Sequence, residues 1–371
     1  MITRLFVNNF RCLDNFEIKF PPHAPAVILG KNGVGKSSIG DLLKMLHLIG
    51  IGETNVATLL SENEPARKDK PISLEIDMGF SAKQLSYRLS FDYLERSDSW
   101  RVREESLSCN GIDAYTRNLA TVKVNRYRDR TSEFGINWFS VALPIIQEND
   151  AADAIATMKS GLSSILILKP MPALMGAESP KPDSFLNSDA SNFSSWLAGF
   201  MSEFPHAYGT INSYLGEVFP DFDRFVNERS GTTSQRLQVT FASDGASYTL
   251  PFSVLSEGEK CQFLAAAVIA KNKVDGPVVC FWDEPDNYIT TSEIANLLPA
   301  LCHAFSTCGQ LLVTSHSREA ILCFGESETY VLARKSHLES TMPPQTLEDL
   351  RQSGKLTGSL DQALLDGEVL P

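Results

Sequence analysis

The chain has 371 residues, 43% hydrophobic and 21% charged, with a formal net charge of −12. These proportions suit a folded protein with a sizeable core, in one large domain or in two or three smaller ones, and the acidic balance argues against a coat that binds nucleic acid over its whole surface. No apolar run is long enough to span a bilayer, MITRLFVNNF lacks the unbroken apolar stretch of a signal peptide, and the 7 cysteines form no CxxC pair, so buried free thiols in a reducing cytosol are expected rather than a zinc or redox pair.

In chain order, the first elements read as strands. Phe16, Ile18 and Phe20 alternate with Asn15, Glu17 and Lys19, the period of a half-buried strand. The proline-flanked segment 21–25 interrupts it, and Ala26–Leu29 is a short apolar run of the kind a buried central strand shows. The glycine-rich loop Gly30–Ser37 follows, and the spacing over Ile39–Ile49 predicts a helix. Residues 51–70 are polar and turn-rich. Ile72, Leu74, Ile76 and Met78, then Leu85, Tyr87, Leu89, Phe91 and Tyr93, alternate with polar residues, and Trp100–Leu107 adds a third segment; together they predict an antiparallel meander with one dry face. Lys123, Arg126, Arg128 and Arg130 form a small basic cluster, read as a solvated face.

Residues 151–230 read as mostly helical, with Trp196, Phe200, Phe204, Tyr208, Ile211, Leu215 and Phe219 forming an amphipathic stripe broken by prolines. No heptad is sustained, which excludes a long coiled-coil arm. Leu237–Phe241 and Tyr248–Phe252 flank Ser243-Asp244-Gly245, a hairpin signal. Then helix, strand, helix and strand alternate over Glu259–Asn272, Val278–Asp283, Ser292–Phe305 and Gln310–Thr314, which predicts a parallel sheet with crossover helices. The expected organisation is α/β: an N-terminal lobe over 1–150, a helical insert over 151–235 and a C-terminal lobe over 236–371.

The chemistry starts at Gly30–Ser37, which matches GxxxxGK[ST] in full. Glycines at 30, 33 and 35 let the backbone curl so that N–H groups around Asn32 point inward at phosphate oxygens. The helix that the loop opens turns its positive end to the same phosphates, and Ser38 lies on its first turn. Lys36 is expected to reach the β- and γ-phosphates of ATP, and Ser37 to ligate Mg²⁺. Val278–Glu284 is an apolar strand ending in two acids, and strand C-termini are where α/β sites lie. Asp283 is expected on Mg²⁺, and Glu284 as the general base for the attacking water. Leu255-Ser256-Glu257-Gly258-Glu259 reads as a capping box, whose helix end offers donors at Ser256 and Gly258. Leu312–His316 is an apolar strand ending at a histidine.

The order of loop, LSxGE-type signature, acid strand and histidine, with Phe10-Arg11-Cys12-Leu13 as an NFR-type opening, resembles the ABC-type ATPase heads of the SMC, RecF and OLD-like families. The motifs cover residues 1–50 and 250–320. The resemblance implies a P-loop NTPase of ABC-head type, with a mostly parallel core sheet, an antiparallel β-meander and a helical insert. It also implies two heads paired head-to-tail around two ATPs, with Ser256 and Gly258 facing the γ-phosphate held by the other copy. His316 takes the place of the switch histidine, Arg11 lies near the nucleotide, Gln147 reaches Mg²⁺, and Asp286 opens the segment that crosses the dimer. Ile289-Thr290-Thr291 departs from the leucine–histidine–proline step of many relatives, and too few residues follow His316 for a Toprim nuclease domain.

Stand-alone heads of this kind resemble the ATPase subunits of bacterial antiphage systems such as Septu, or retron-associated ATPases, which work with a separate nuclease or toxin subunit. The leading expectation is therefore a cytoplasmic switch ATPase acting as a homodimer or higher homo-oligomer, with no membrane partner. A RecF-like DNA repair ATPase, with DNA as partner, is the second reading. An ATP-binding scaffold with negligible turnover is the third.

Overall fold

The computed structural model describes residues 1–21, 24–61, 64–126, 130–150, 153–231, 234–316 and 321–355. Two compact units emerge, Met1–Ile165 together with Glu326–Pro371, and Leu166–Gly325. The chain thus leaves its first unit once and returns to it, whereas the sequence suggested three consecutive segments.

The first unit opens with β1 (Ile2–Asn8), β2 (Phe16–Lys19), β3 (Ala26–Leu29) and α1 (Lys36–Gly50). A short helix α2 (Val56–Leu59) precedes a run of strands: β4 (Ile72–Phe80), β5 (Lys83–Leu94), β6 (Ser99–Cys109), β7 (Ile112–Asn118), β8 (Thr121–Arg126) and β9 (Arg130–Gly135). These six join β1 and β2 in an eight-stranded sheet of order β2-β1-β4-β5-β6-β7-β8-β9. The expected meander is its centre. The alternation read from the sequence is the alternation of burial: Ile72, Leu74, Ile76 and Met78 are buried, and so are Leu85, Tyr87, Leu89 and Phe91 across the ladder. Lys123 lies exposed on β8 and pairs with Glu133 on β9 at 3.6 Å; Arg128 lies outside the described residues. Helix α3 (Ala154–Ser163) closes this part of the unit.

One buried polar cluster on β5, β6 and β7 staples the sheet to the loop that follows it. Glu105 and Arg117 have no exposed side-chain surface. The Glu105 carboxylate accepts from the Tyr87 and Tyr115 hydroxyls (3.1 and 2.7 Å) and from the backbone N–H groups of Ala142 and Leu143 (2.7 and 2.8 Å). Arg117 donates to the carboxylate at 3.4 Å and to the carbonyls of Leu119, Asn137 and Ser140. Burial beside this carboxylate holds both phenols protonated, well above their ordinary range.

The second unit runs through β10 (Ile165–Leu168), β11 (Glu178–Ser179), α4 (Phe193–Glu203), α5 (Ala207–Val218), β12 (Phe222–Arg229), β13 (Gln235–Ser243), β14 (Ala246–Pro251), α6 (Glu257–Val274), β15 (Val279–Asp283), α7 (Thr291–Ser306) and β16 (Gln310–Thr314). The segment read as a helical insert is mixed. Its aromatic stripe spans two helices, because the chain breaks at Phe204–His206 around Pro205, and strands lie on either side. The hairpin is where the sequence put it: β13 and β14 close at Ser243↔Ala246, with positive φ at Asp244 (50°) and Gly245 (81°), as a primed turn demands.

Helix α6 is the core of this unit. Cys261, Phe263, Leu264, Val268 and four alanines along it are buried. Phe263 meets the rings of Phe252 and Phe225 at 5.5 and 6.2 Å, and each ring buried in this way contributes about 1.5–3 kcal/mol. Asn272 near its end donates to the carbonyls of Ala304 and Cys308 and accepts from Val278 N–H, which sets α6, α7 and the start of β15 in register. The parallel β15–β16 pair with α7 as its crossover is the alternation expected.

The first unit resumes with β17 (Thr329–Val331), β18 (Gln345–Thr346) and α8 (Leu347–Gln352). β17 runs parallel to β3 and antiparallel to β18. All cysteines are free thiols; burial with Glu257 and Glu293 nearby pushes Cys261 up to about 12, and burial raises Cys280 as well. Among the described residues, no helix is long and apolar enough to cross a membrane.

Candidate nucleotide-binding site

In the first unit the loop between β3 and α1 is shaped by glycines that nothing larger can replace. Gly30 has φ of +150°, and a Cβ there would lie 2.6 Å from the Leu332 carbonyl oxygen. Gly35, at φ +110°, caps α1 in the left-handed region, and a Cβ would meet Leu13 Cδ2 at 2.9 Å and Cys12 Sγ at 3.0 Å. The cap makes no side-chain hydrogen bond, and the first turn carries no acid. The N-terminus of α1 therefore turns an uncompensated positive dipole end to the loop, the arrangement that favours anions.

Lys36 is 5% exposed and lays its ammonium across the loop, donating to Gly30 O at 2.7 Å and Lys31 O at 3.4 Å. Asn32, Gly33 and Ser37 are exposed, while Ser38 is buried, 4.0 Å from Cys12 Sγ. Two residues from the far end of the chain hold the loop's carbonyls. Arg334 donates to Gly33 O at 2.9 Å, and the buried Thr341 hydroxyl donates to Val34 O at 2.6 Å. Sequence reading missed both, since nothing local marks a contact three hundred positions away.

Arg11 is in the left-handed region, and its guanidinium is held by Glu64 at 2.8 Å and by Asp41 on α1. Gln147 is exposed, and Lys159 fixes its neighbours, donating to Ile146 O at 2.9 Å and Glu148 at 2.8 Å.

In the second unit the parallel register sets Asp283 opposite Thr314. The Thr314 hydroxyl donates to Asp283 Oδ1 at 2.5 Å and accepts from Glu284 N–H at 3.0 Å. Lys169, just past β10, places its ammonium 3.5 Å from Asp283 Oδ2. Glu284 has φ of 51° and ψ of 62°, a left-handed backbone that costs a non-glycine residue about 1–3 kcal/mol. Its Oε2 accepts from Asn287 at 3.0 Å, and its Oε1 lies 3.3 Å from His316 Nε2. Asp286 sits on the following turn with Oδ1 buried and without a hydrogen bond. Thr314, Lys169 and Asn287 were not read from the sequence; only Thr314, at the end of a strand expected beside Asp283, carried a usable signal.

At the start of α6 the capping box forms, with Glu259 N–H donating to Ser256 Oγ at 3.3 Å and Ser256 N–H to Glu259 Oε2 at 2.7 Å. Ser256 is exposed, and a Cβ at Gly258 would stand 3.4 Å from the Tyr288 carbonyl oxygen, so this helix end adjoins the turn carrying Asp286. Lys260 ties the 172–174 turn to the helix through Pro172 O at 3.1 Å. Met171, Leu174 and Val254, in the segments leading to this helix end and in the turn bound to it, are 49%, 50% and 64% exposed.

The structure thus gathers the sequence-derived candidates in two groups. Gly30, Asn32, Gly33, Gly35, Lys36, Ser37 and Ser38 line the loop, with Arg11 bound to α1 beside them. Asp283, Glu284, Asp286 and His316 cluster in the second unit, with Ser256 and Gly258 on its signature-like helix.

The chain has the fold of an SMC-like, ABC-type ATPase head, a P-loop NTPase fold. A family profile described as "AAA domain, putative AbiEii toxin, Type IV TA system" matches residues 26–322, and the chain belongs to that family. Two solved structures share the fold over nearly their whole length. An Smc head bound to the C-winged helix domain of ScpA is 16% identical, with a TM-score of 0.58, covering 95% of this chain and 99% of that one. A Pyrococcus furiosus Smc head with an extended coiled coil, bound to the C-terminal domain of ScpA, is 14% identical, with a TM-score of 0.56, covering 95% and 98%. No curated protein matches the sequence significantly.

Proposed function

We propose that the chain is an ATP-hydrolysing switch whose active site is completed by a second copy. The observation that carries the reading is Glu284, held in a strained backbone at the end of β15 against Thr314 and His316 at the end of the parallel strand β16, with its carboxylate partly exposed. Strain of this kind persists where the surrounding structure enforces it, and it clusters at active sites. Glu284 acts as general base on the attacking water, and His316 orients it or contacts the γ-phosphate. The open end of α1 with Lys36 receives the phosphates. Arg11, by exchanging one carboxylate partner, lies near the nucleotide.

In the first unit the Ser37 hydroxyl and the Gln147 amide, and in the second the Asp283 carboxylate, are oxygen donors of the type Mg²⁺ takes beside phosphate oxygens and water. The ion, when bound, would neutralise charge on the transferring phosphoryl group.

Head-to-tail pairing is supported by the exposed signature-like helix end and the exposed Met171, Leu174 and Val254 associated with it. Asp286, with an unsatisfied oxygen on the adjoining turn, crosses to the other copy. The family's description names a putative toxin of a type IV toxin–antitoxin system; on the proposed reading the switch gates a separate effector subunit, in antiphage defence.

Glu284→Gln tests the proposal. In the full chain it abolishes phosphate release and yields an ATP-dependent doubling of mass by light scattering. A variant that turns over ATP normally, or stays monomeric with ATP, sinks the reading.

A further inference from the structure

The outer wall of the phosphate loop borders a second cleft. Residues Lys31–Val34 form one side, and the segments 331–345 and 350–355 form the other, enclosing about 750 Å³. That is the size range of small-ligand pockets.

Its charge is unlike the rest of the chain. The protein has 45 acidic and 33 basic residues, yet the cleft is lined by Lys31, Arg334, Lys335, His337 and Lys355 and by no Asp or Glu. Among the described residues none of these five enters an ion pair; Arg334 spends its donors on the carbonyls of Gly33, His337 and Glu339, and Lys355 reaches only Gln345, at 3.0 Å. Of the nearby acids, Glu326 pairs with Arg351, Asp349 caps α8 and Glu348 accepts from Gln352, while Glu339 does not line the cleft. Three ammonium groups around a hollow repel one another unless an anion enters. The floor is apolar, with Val331, Met342 and Leu350, and suits a flat ring rather than a bare ion.

We propose that this cleft is a second binding site, for a small phosphorylated ligand carrying an aromatic base, a mononucleotide-class molecule distinct from the ATP on the loop. Asn32 and Gly33 of the loop line the cleft as well, but Lys36 and Ser37, expected on the ATP phosphates and Mg²⁺, do not, and the neutral base of ATP gives three amines nothing to neutralise. The same segment that forms the cleft grips the loop through Arg334 and Thr341. A ligand bound there fixes the carbonyls of Gly33 and Val34 and so tunes the affinity of the loop for ATP, by linkage in both directions.

The test is calorimetric titration of the full chain, preloaded with magnesium and ATPγS, with the four nucleoside monophosphates, inorganic phosphate and a ten-residue single-stranded DNA. The expected result is a further binding event for at least one monophosphate, with a Kd below about 1 mM and tighter than that of inorganic phosphate. The double variant Lys335→Glu/Lys355→Glu weakens it by about tenfold or more while ATPγS still binds; the single Lys335→Ala, an exposed truncation, weakens it less. No monophosphate binding to the loaded protein, binding that the variants do not change, or binding of the oligonucleotide alone overturns the proposal. Failure of ATPγS itself to bind strikes at the ATPase reading instead, and monophosphate binding to the unloaded chain, weakened by Lys335→Ala, then still tests the cleft.

Discussion

His316 Nε2 stands 3.3 Å from Glu284 Oε1, across the ends of two parallel strands that hold the pair in register. The contact joins the two residues proposed to handle the attacking water. Their side chains are 36% and 29% exposed, so water reaches both. His316→Ala removes one partner and leaves Glu284 held by Asn287 and Thr314. Turnover is expected to fall by about 10²–10⁴-fold, the usual worth of a positioned acid–base group, with ATP affinity nearly unchanged. Steady-state phosphate release beside equilibrium nucleotide binding checks it; an equal loss in both would mean the histidine only supports the fold.

The clamps on the phosphate loop make a separate prediction. Thr341→Val keeps the shape but leaves Val34 O without its 2.6 Å donor in a buried setting, at about 1–3 kcal/mol. Arg334→Met frees Gly33 O and two further carbonyls. Both variants are expected to weaken ATP binding by about tenfold while the sheet of the first unit stays intact. Nucleotide titration with a far-ultraviolet dichroism control separates the two effects.

The Glu105–Arg117 pair bears on stability alone. Removing one partner of a buried pair leaves an uncompensated charge, so Glu105→Leu is expected to destabilise by about 3–5 kcal/mol. Two backbone N–H groups and two phenols lose their acceptor as well. Glu105→Leu/Arg117→Met is expected to lose less than the sum of the two single changes, because each single change orphans the other group. Urea unfolding of the four proteins of the cycle measures this.

His47, half-buried near the end of α1, gives a pH dependence. Burial pushes its pKa down, against the opposing pull of the Leu162 and Ser163 carbonyls. The folded state thus favours neutral imidazole, while the unfolded chain takes up a proton near the ordinary value of about 6.5. The contribution is complete above that value and is lost as pH falls through the lowered folded pKa. Between pH 7.5 and 5 the melting temperature of the native chain is expected to drop more than that of His47→Gln; parallel curves would remove His47 as the cause.

Much of the architecture was legible because its causes are local. The period-two runs at 72–78 and 85–93 became β4 and β5, and the Asp244-Gly245 turn became a hairpin. The glycine spacing at 30, 33 and 35 became the loop. What could not be read depends on distant partners. Strands β7 to β9 lack strong alternation and are recruited by the sheet edge that β6 offers. Strand β12, inside the segment read as mostly helical, exists through its pairing with β13. Lys169 beside Asp283, and Arg334 and Thr341 on the loop, follow from topology, which no spacing along the chain encodes.

The return of the chain to its first unit has a consequence for biosynthesis. During translation the phosphate-loop motif leaves the ribosome early, but its two carbonyl clamps and β17, the parallel neighbour of β3, come from residues made near the other end. Until then β3, apolar along its whole length, has an unpaired edge on the β17 side, the state in which strands stick to one another. A nascent chain that stops short of residue 329 carries the full motif and none of the strand and clamps that close it.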